Sequence, residues 1–285
     1  MKKAIFFFAS WLAHWLPSST KQSFYRMGPL SHWIRQTLNL AVPTGLSEIT
    51  VAGGELAGCH LLLDLHEEKE YWLGTYEPDL QLAMKIWAKP GWVIYDIGAN
   101  IGYITLLLCK LLKAQGHVIA FEALPANVER LNKNLKMNPD ISLVAEVIPA
   151  AVTNLQGTVR FLVSDSIATG KAEGSAGRQG KYHSHIDVDG ITIDHFVYEQ
   201  GHPIPQMIKM DIEGGEGLAL SGMKRLLSES RPLFIIELHG SEANQIVWQI
   251  LNIAKYSLFH LEKNYPLVNS VEELGKRSYI IAKPD

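Results

Sequence analysis

The sequence is poor in the features that would commit it to several broad classes of protein. Cysteine is scarce: Cys59 and Cys109 are the two in 285 residues, both in apolar surroundings. That number and spacing build neither a disulfide framework nor a zinc site, so both are expected to be reduced core residues of a cytoplasmic protein. Excess charge of one sign is also missing, with 26 basic against 29 acidic residues and a net charge of −3. Neutralising nucleic-acid phosphates takes a basic excess, so no nucleic-acid partner is expected. No apolar run reaches the length of a membrane span. There is no G-x-x-x-x-G-K-[ST] loop to cradle a triphosphate and no G-x-S-x-G turn to present a nucleophilic serine. Internal repeats and long flexible linkers are absent as well.

What is present suits a globular chain. Hydrophobic residues make up 47% and charged residues 19%, enough to bury one large core or two modest ones and too apolar for general disorder. Met1-Lys2-Lys3 precedes Ala4 to Leu16, a short stretch rich in Phe and Trp. Its basic start and apolar core resemble a signal peptide, but Pro17-Ser18-Ser19-Thr20 follows in place of a cleavage site. The expectation is an uncleaved amphipathic helix packed on the domain. Peripheral membrane contact through that helix is the alternative.

Aromatic-faced helices are expected up to about residue 45, then two short strands between Ile49 and Leu65, then a helix from Leu80 to Trp87 that stops at Pro90-Gly91. From Trp92 onward strands and helices alternate. The expected strands are 92–96, 117–122, 143–151, 158–163, 207–211, 233–237, 256–261 and 278–282. The expected helices are 104–112, 127–137, 217–227 and 243–253. Such alternation implies an α/β fold with a mostly parallel sheet and helices on both faces. The Gly-, Ser- and Ala-rich stretch 164–180 reads as a mobile loop.

The most informative run is Trp92-Val93-Ile94-Tyr95-Asp96-Ile97-Gly98-Ala99-Asn100-Ile101-Gly102-Tyr103. It reads as a buried strand, an acidic residue, a glycine turn and a helix. Gly98 and Gly102 lack the Cβ that would keep a nucleotide-like ligand from the backbone. A dinucleotide fingerprint needs glycine where this chain has Asn100 and Tyr103. The spacing D-x-G-x-x-x-G instead resembles the first motif of S-adenosylmethionine (SAM) methyltransferases.

Ligands of doubly wound sheets sit at the carboxyl ends of the strands. Those ends carry Asp96, Glu122, Asp211 with Glu213, and Glu237 with His239. Glu122 ends the second strand, where an acidic side chain accepts ribose hydroxyls. Asn127 is read as the cap of the next helix. Asp211 and Glu213 are candidates for a proton acceptor at the pocket rim, although Asp211 also suits a helix cap, with Glu213 and Glu216 complementing the helix dipole. His239 is a third candidate for the proton step. His183-Ser184-His185-Ile186-Asp187-Val188-Asp189 alternates as a half-exposed strand does, so no metal site is assigned; a metal there is the minor alternative.

Taken in order, these stretches resemble the FkbM family of SAM-dependent methyltransferases. The resemblance rests on Gly74-Thr75-Tyr76-Glu77-Pro78, Tyr95 to Tyr103, and Phe121-Glu122-Ala123-Leu124-Pro125-Ala126-Asn127 with Leu131 and Asn134. It continues through Ile191-Thr192-Ile193-Asp194, Ile208-Lys209-Met210-Asp211-Ile212-Glu213-Gly214 and Ile235-Ile236-Glu237-Leu238-His239. Ala123 stands where the family has proline, and Gly215 where alanine is usual. The resemblance implies a class I methyltransferase fold over residues 74–285, behind a helical and short-β extension at 1–73. It implies SAM as cofactor and methyl transfer to a hydroxyl of a small molecule, sugar or natural product. The expected SAM-binding residues are Tyr76, Glu77, Asp96, Gly98, Ala99, Asn100, Gly102, Tyr103, Glu122, Ala151 and Asp211, with Tyr76 and Glu77 closing over the cofactor as the resemblance suggests. The alternatives are a nicotinamide-dependent oxidoreductase and a non-catalytic, membrane-associated SAM-binding protein. Oligomeric state is not legible in the sequence.

Overall fold

The computed structural model describes residues 42, 44–164, 170–176 and 182–285. The aromatic N-terminal helices expected before residue 42 lie outside that set. The chain divides into two units: Met1–Leu82 with Lys133–Asp140, and Ala83–Asn132 with Ile141–Asp285. In chain order the first elements are β1 (Leu46–Thr50), β2 (His60–Asp64), α1 (Lys69–Leu73) and α2 (Pro78–Trp87).

In the first unit β1 and β2 pair antiparallel, with Leu46 opposite Asp64. The edge of β2 is closed by amides: Asn134 Oδ1 accepts from Leu62 N at 2.7 Å, and Asn138 both accepts from His60 N and donates to His60 O. Gly53-Gly54 meets Gly74 backbone to backbone, so tightly that a Cβ on Gly74 would lie 2.0 Å from Gly53 O. Only glycine fits such a contact.

The chain continues with β3 (Val93–Ile97), α3 (Tyr103–Leu112), β4 (His117–Phe121), α4 (Pro125–Lys136), α5 (Pro139–Ser142) and β5 (Ala145–Ile148), of which residues 133–140 belong to the first unit. Four strands follow: β6 (Ala151–Val152), β7 (Gly157–Ser164), β8 (Gly170–Ala172) and β9 (Tyr182–Ile191). The chain closes with β10 (Met207–Met210), α6 (Glu216–Ser221), β11 (Leu233–His239), α7 (Ser241–Ile253), β12 (Tyr256–His260) and β13 (Arg277–Pro284). Seven strands form one sheet in the order β12-β13-β11-β10-β3-β4-β5, parallel except for β13, which runs against both β11 and β12. Strands β3, β4 and β10 are near-continuous apolar runs because the sheet buries both of their faces. α3 packs on β3 and β4, and α7 on β11 and β12.

The alternating strands were expected in this sheet and are not all there. Residues 143–151 do not form one strand: β5 stops at Ile148, and Ala151–Val152 joins a separate sheet of order β6-β9-β7-β8. In β9 residues 185–190 alternate exposed with more buried ones, the pattern of a strand covered on one face, and β7 buries Phe161. The stretch 164–180, read as a loop, contains strand β8; residues 165–169 and 177–180 lie outside the described set. The helix expected over 217–227 ends at Ser221, and a π-helical turn follows at Leu226–Ser230.

One charge pair sits inside the main sheet. Asp96 on β3 is fully buried, and Lys209 Nζ on the neighbouring β10 lies 3.1 Å from its Oδ1. Thr105 Oγ1 donates to Asp96 Oδ2 at 2.7 Å, and Lys209 Nζ also donates to Gly98 O at 2.9 Å. Removing one partner strands the other charge away from water. Lys209→Met should therefore lower the unfolding free energy by about 3–5 kcal/mol, read as a fall in the urea midpoint. A midpoint equal to the parent's would show that the pair does not hold these strands.

Candidate active site

The sheet order reverses between β3 and β10, which places a crevice beyond their carboxyl ends. A cleft of about 90 Å³ lies there, open to solvent on one side. Its polar wall carries Asn100, Glu122, Asp211 and Glu213, and Gly98 and Ala151 also face it. Its apolar wall is contributed by Phe121, Leu124, Val152, Phe161, Ala172 and Leu218.

The first polar corner is built around Glu122, which follows β4 and is 7% exposed. Its Oε2 accepts from Asn100 N at 2.8 Å; its Oε1 accepts from Leu124 N at 2.9 Å and from Asn127 Nδ2 at 3.3 Å. Burial pushes its pKa above the ordinary glutamate value, against the pull of those donors and of Lys209. A carboxylate has about four acceptor positions, so one remains on Oε2. Asn127 does not cap α4, which begins two residues earlier at Pro125; its amide serves Glu122 instead. Asn100 is held at φ 49, and its buried Oδ1 has no hydrogen-bond partner among the described residues.

The second corner lies after β10 and at the end of β11. Glu213, at φ 54, and Gly214, at φ 100, turn the chain. α6 starts only at Glu216, after Gly215, so Asp211 is not its cap. Glu216 ties the turn instead: its fully buried carboxylate accepts from Gly214 N at 3.0 Å and from Ile212 N at 3.4 Å. The same Oε1 lies 3.1 Å from His239 Nδ1. His239 Nε2 faces Glu237 Oε1 at 3.5 Å, Asp211 Oδ1 at 3.7 Å and Glu213 Oε2 at 3.8 Å. Burial alone would lower the imidazole's pKa; the hydrogen bond and charge of Glu216, with Asp211 and Glu237, outweigh it and raise it to about 9. Glu237 is fully buried and is held by Arg277 Nε and Tyr279 Oη.

The family model described as the methyltransferase FkbM domain matches residues 96–267 of this chain. The chain belongs to the FkbM methyltransferase family. It is 29% identical over 167 residues to the hexuronic acid methyltransferase AglP of Haloferax volcanii, which covers 58% of this chain and 63% of that relative. Among solved structures it is similar to a methyltransferase FkbM of Methylobacillus flagellatus, at 19% identity and a TM-score of 0.47, over 74% of this chain and 52% of that one. It is also similar to a SAM-dependent O-methyltransferase of Thermotoga maritima, at 12% identity and a TM-score of 0.43, over 73% of this chain and 65% of that one. The chain thus spans less than two thirds of each of these relatives.

Of the residues expected to hold the cofactor of an FkbM methyltransferase, Gly98, Asn100, Glu122, Ala151 and Asp211 line the cleft. Asp96, Ala99, Gly102 and Tyr103 do not. They are buried behind it, where Asp96 anchors the turn and Gly102, at φ 88, opens α3. Gly98 is required for a different reason from the one expected. A Cβ there would lie 1.9 Å from Asp211 O, so the neighbouring chain, not a ligand, forbids a side chain. Tyr76 and Glu77 belong to the first unit, where Tyr76 O accepts from Gln81 Nε2 and its ring lies 4.4 Å from that of Tyr71. Asp211 and Glu213 line the cleft, whereas His239 stands directly behind them. In β9, His185, Asp187 and Asp189 are exposed around buried Val188, as a half-exposed strand requires. Sequence reasoning missed Lys209, Glu216 as a tie, and Arg277 with Tyr279. A lysine within the apolar run Met207–Met210 was the available signal for the first, since a buried cation needs a buried partner.

Proposed function

We propose that this chain transfers the methyl group of SAM to a hydroxyl of a glycan or small-molecule acceptor. The observation that carries the reading is the pairing, in one cleft of an FkbM-family chain, of a ribose-type acidic corner with a second carboxylate corner beside an apolar wall. The residues fit the cofactor: Glu122 keeps an acceptor position for a ribose hydroxyl, and the orphaned Asn100 Oδ1 suits a donor group on the ligand. When bound, SAM supplies a methyl group on a sulfonium that departs as a neutral thioether. The chain's own work is to align the acceptor and take its proton. Asp211 is our first candidate for that step and Glu213 the second, since both line the cleft while His239 does not. Family membership favours neither the nicotinamide-dependent nor the non-catalytic alternative. The relative named for a hexuronic acid makes uronic-acid glycans the first acceptor class to try. Among the described residues no helix is long and apolar enough to cross a membrane.

Two outcomes follow. Ribose binding needs Glu122 ionised, and its raised pKa brings protonation closer to neutral pH. SAM affinity should fall on acidification, approaching tenfold per pH unit below that pKa. Glu122→Gln should bind SAM more weakly by about 1.5–3 kcal/mol and lose the pH dependence. Calorimetry at falling pH reads both, and a folded Glu122→Gln that binds SAM as tightly as the parent would remove Glu122 from the cofactor site. Asp211→Asn keeps the shape but removes the charge. It should bind SAM as the parent does and lose about 10²–10⁴ in kcat; near-parental turnover on any accepted substrate would move the proton step elsewhere.

A further inference from the structure

His239 ends β11 behind the cleft and is 7% exposed. Carboxylate oxygens face both of its ring nitrogens. Nδ1 lies 3.1 Å from Glu216 Oε1, which already accepts from Gly214 N and Ile212 N and is an acceptor toward the ring as well. Nε2 faces Glu237 Oε1, Asp211 Oδ1 and Glu213 Oε2 at 3.5–3.8 Å. A neutral imidazole has one N–H and one lone pair. Either tautomer would turn that lone pair onto carboxylate: onto Glu216 with the proton on Nε2, onto the other three with the proton on Nδ1. Only a ring with a proton on each nitrogen matches acceptors on both sides. Such a ring has no lone pair left to accept a proton.

We propose that His239 is a positioning residue of methyl transfer: as an imidazolium held by Glu216, it keeps Asp211 and Glu213 ionised and in place at the cleft rim, and it does not take the acceptor's proton itself. The charged groups around it come from several elements. Glu216 opens α6, Asp211 and Glu213 follow β10, and Glu237 lies on the ring's own strand. On β13, Arg277 stands opposite His239 and, with Tyr279, holds Glu237. Lys171 on β8 acts on Glu213 and Glu216. Burial opposes the ring's charge, yet its pKa is raised to about 9, so both protons are present below that pH.

Of the four carboxylates, Asp211 and Glu213 line the cleft. The separations from Nε2 suit charge attraction shared among three oxygens rather than one short hydrogen bond, whose N···O mode is about 2.9–3.0 Å. Asp211 therefore keeps lone pairs for an acceptor hydroxyl. As the acceptor oxygen bonds the methyl carbon and the carbon–sulfur electrons leave with sulfur, the hydroxyl proton passes to Asp211 or Glu213 and from there to solvent. His239 keeps both of its own protons throughout. This role in transfer rests on the methyltransferase reading; the ring's charge and its hold on the two carboxylates do not.

The test is nuclear magnetic resonance of the full chain, with nitrogen-15 in the histidine rings and carbon-13 in the side-chain carboxyls, followed against pH. SAM affinity is measured by calorimetry on the same samples. Both ring nitrogens of His239 should be protonated at neutral pH, and the ring should lose a proton near pH 9. Glu216→Gln should lower that titration. His239→Gln should raise the carboxyl titrations of Asp211 and Glu213 by about 1–3 pH units, the effect of removing a cation a few ångströms away. On an accepted substrate the acid limb of kcat should rise with them, while the KM for SAM stays at the parent's value. A kcat lowered equally at every pH marks a merely structural role and overturns the proposal. So does a neutral His239 at neutral pH in the parent, a measurement that needs no variant. So do unchanged Asp211 and Glu213 titrations in a folded His239→Gln. SAM binding by a parent with a neutral His239 removes the positioning role alone. The imidazolium with shifted carboxylates in the variant, but no SAM binding, supports the hold on the carboxylates and removes the methyltransferase reading.

Discussion

The buried pair of Asp96 and Lys209 is the constraint on which the site depends. A carboxylate and an ammonium this far from water are tolerated only when each satisfies the other. Their joining ties β3 to β10, the two strands between which the sheet order reverses. Lys209 reaches on to Gly98 O, and Asp211 N donates to Ile97 O at 3.0 Å. The turn that ends β3 is thereby fixed against the residue that ends β10. Gly98 N and Ala99 N both donate to Phe121 O, which ties the same turn to the end of β4. Three strand ends are locked together, and Glu122, Asn100 and Asp211 take their places from that lock.

The two corners of the cleft differ in how their carboxylates are held. Glu122 is saturated by amide donors on three of its acceptor positions and serves as much to shape the loop as to meet a ligand. The corner at Asp211 is crowded with like charge around one imidazole. The first is a preorganised corner, fixed by its own amide donors. The second gathers Asp211, Glu213, Glu216 and Glu237 around His239, whose pKa is raised to about 9. Between them, the small second sheet supplies Phe161 and Ala172 to the wall. That sheet has its own core of Leu124, Ala151, Phe161, Ala172 and Val188, a separate cluster from the main one.

Much of this was legible in the sequence. The apolar run Val93–Ile97 with its glycine turn, and the acidic residues at the strand ends, pointed to the crevice beyond β3 and β10 because strand burial and turn chemistry are local properties. The family resemblance agreed with the domain match. What was not legible depended on distance between strands. Asp96 looked like a ligand because an acid at a strand end usually meets solvent, and only the register with β10 shows it paired with Lys209. Gly98 looked like room for a cofactor, whereas the space is taken by Asp211 O. Glu216 looked like a helix-dipole partner, and its hydrogen bond to His239 spans 23 positions of sequence. The second sheet was missed because alternation identifies a half-buried strand without naming its partner.

The central claim is that the crevice beyond β3, β4 and β10 is where SAM binds. A crystal structure of the full chain with S-adenosylhomocysteine tests it most directly. The account predicts the ribose hydroxyls against Glu122 and the sulfur pointing toward Asp211. A nucleoside lodged elsewhere, or a cleft left empty at saturating ligand, would contradict it.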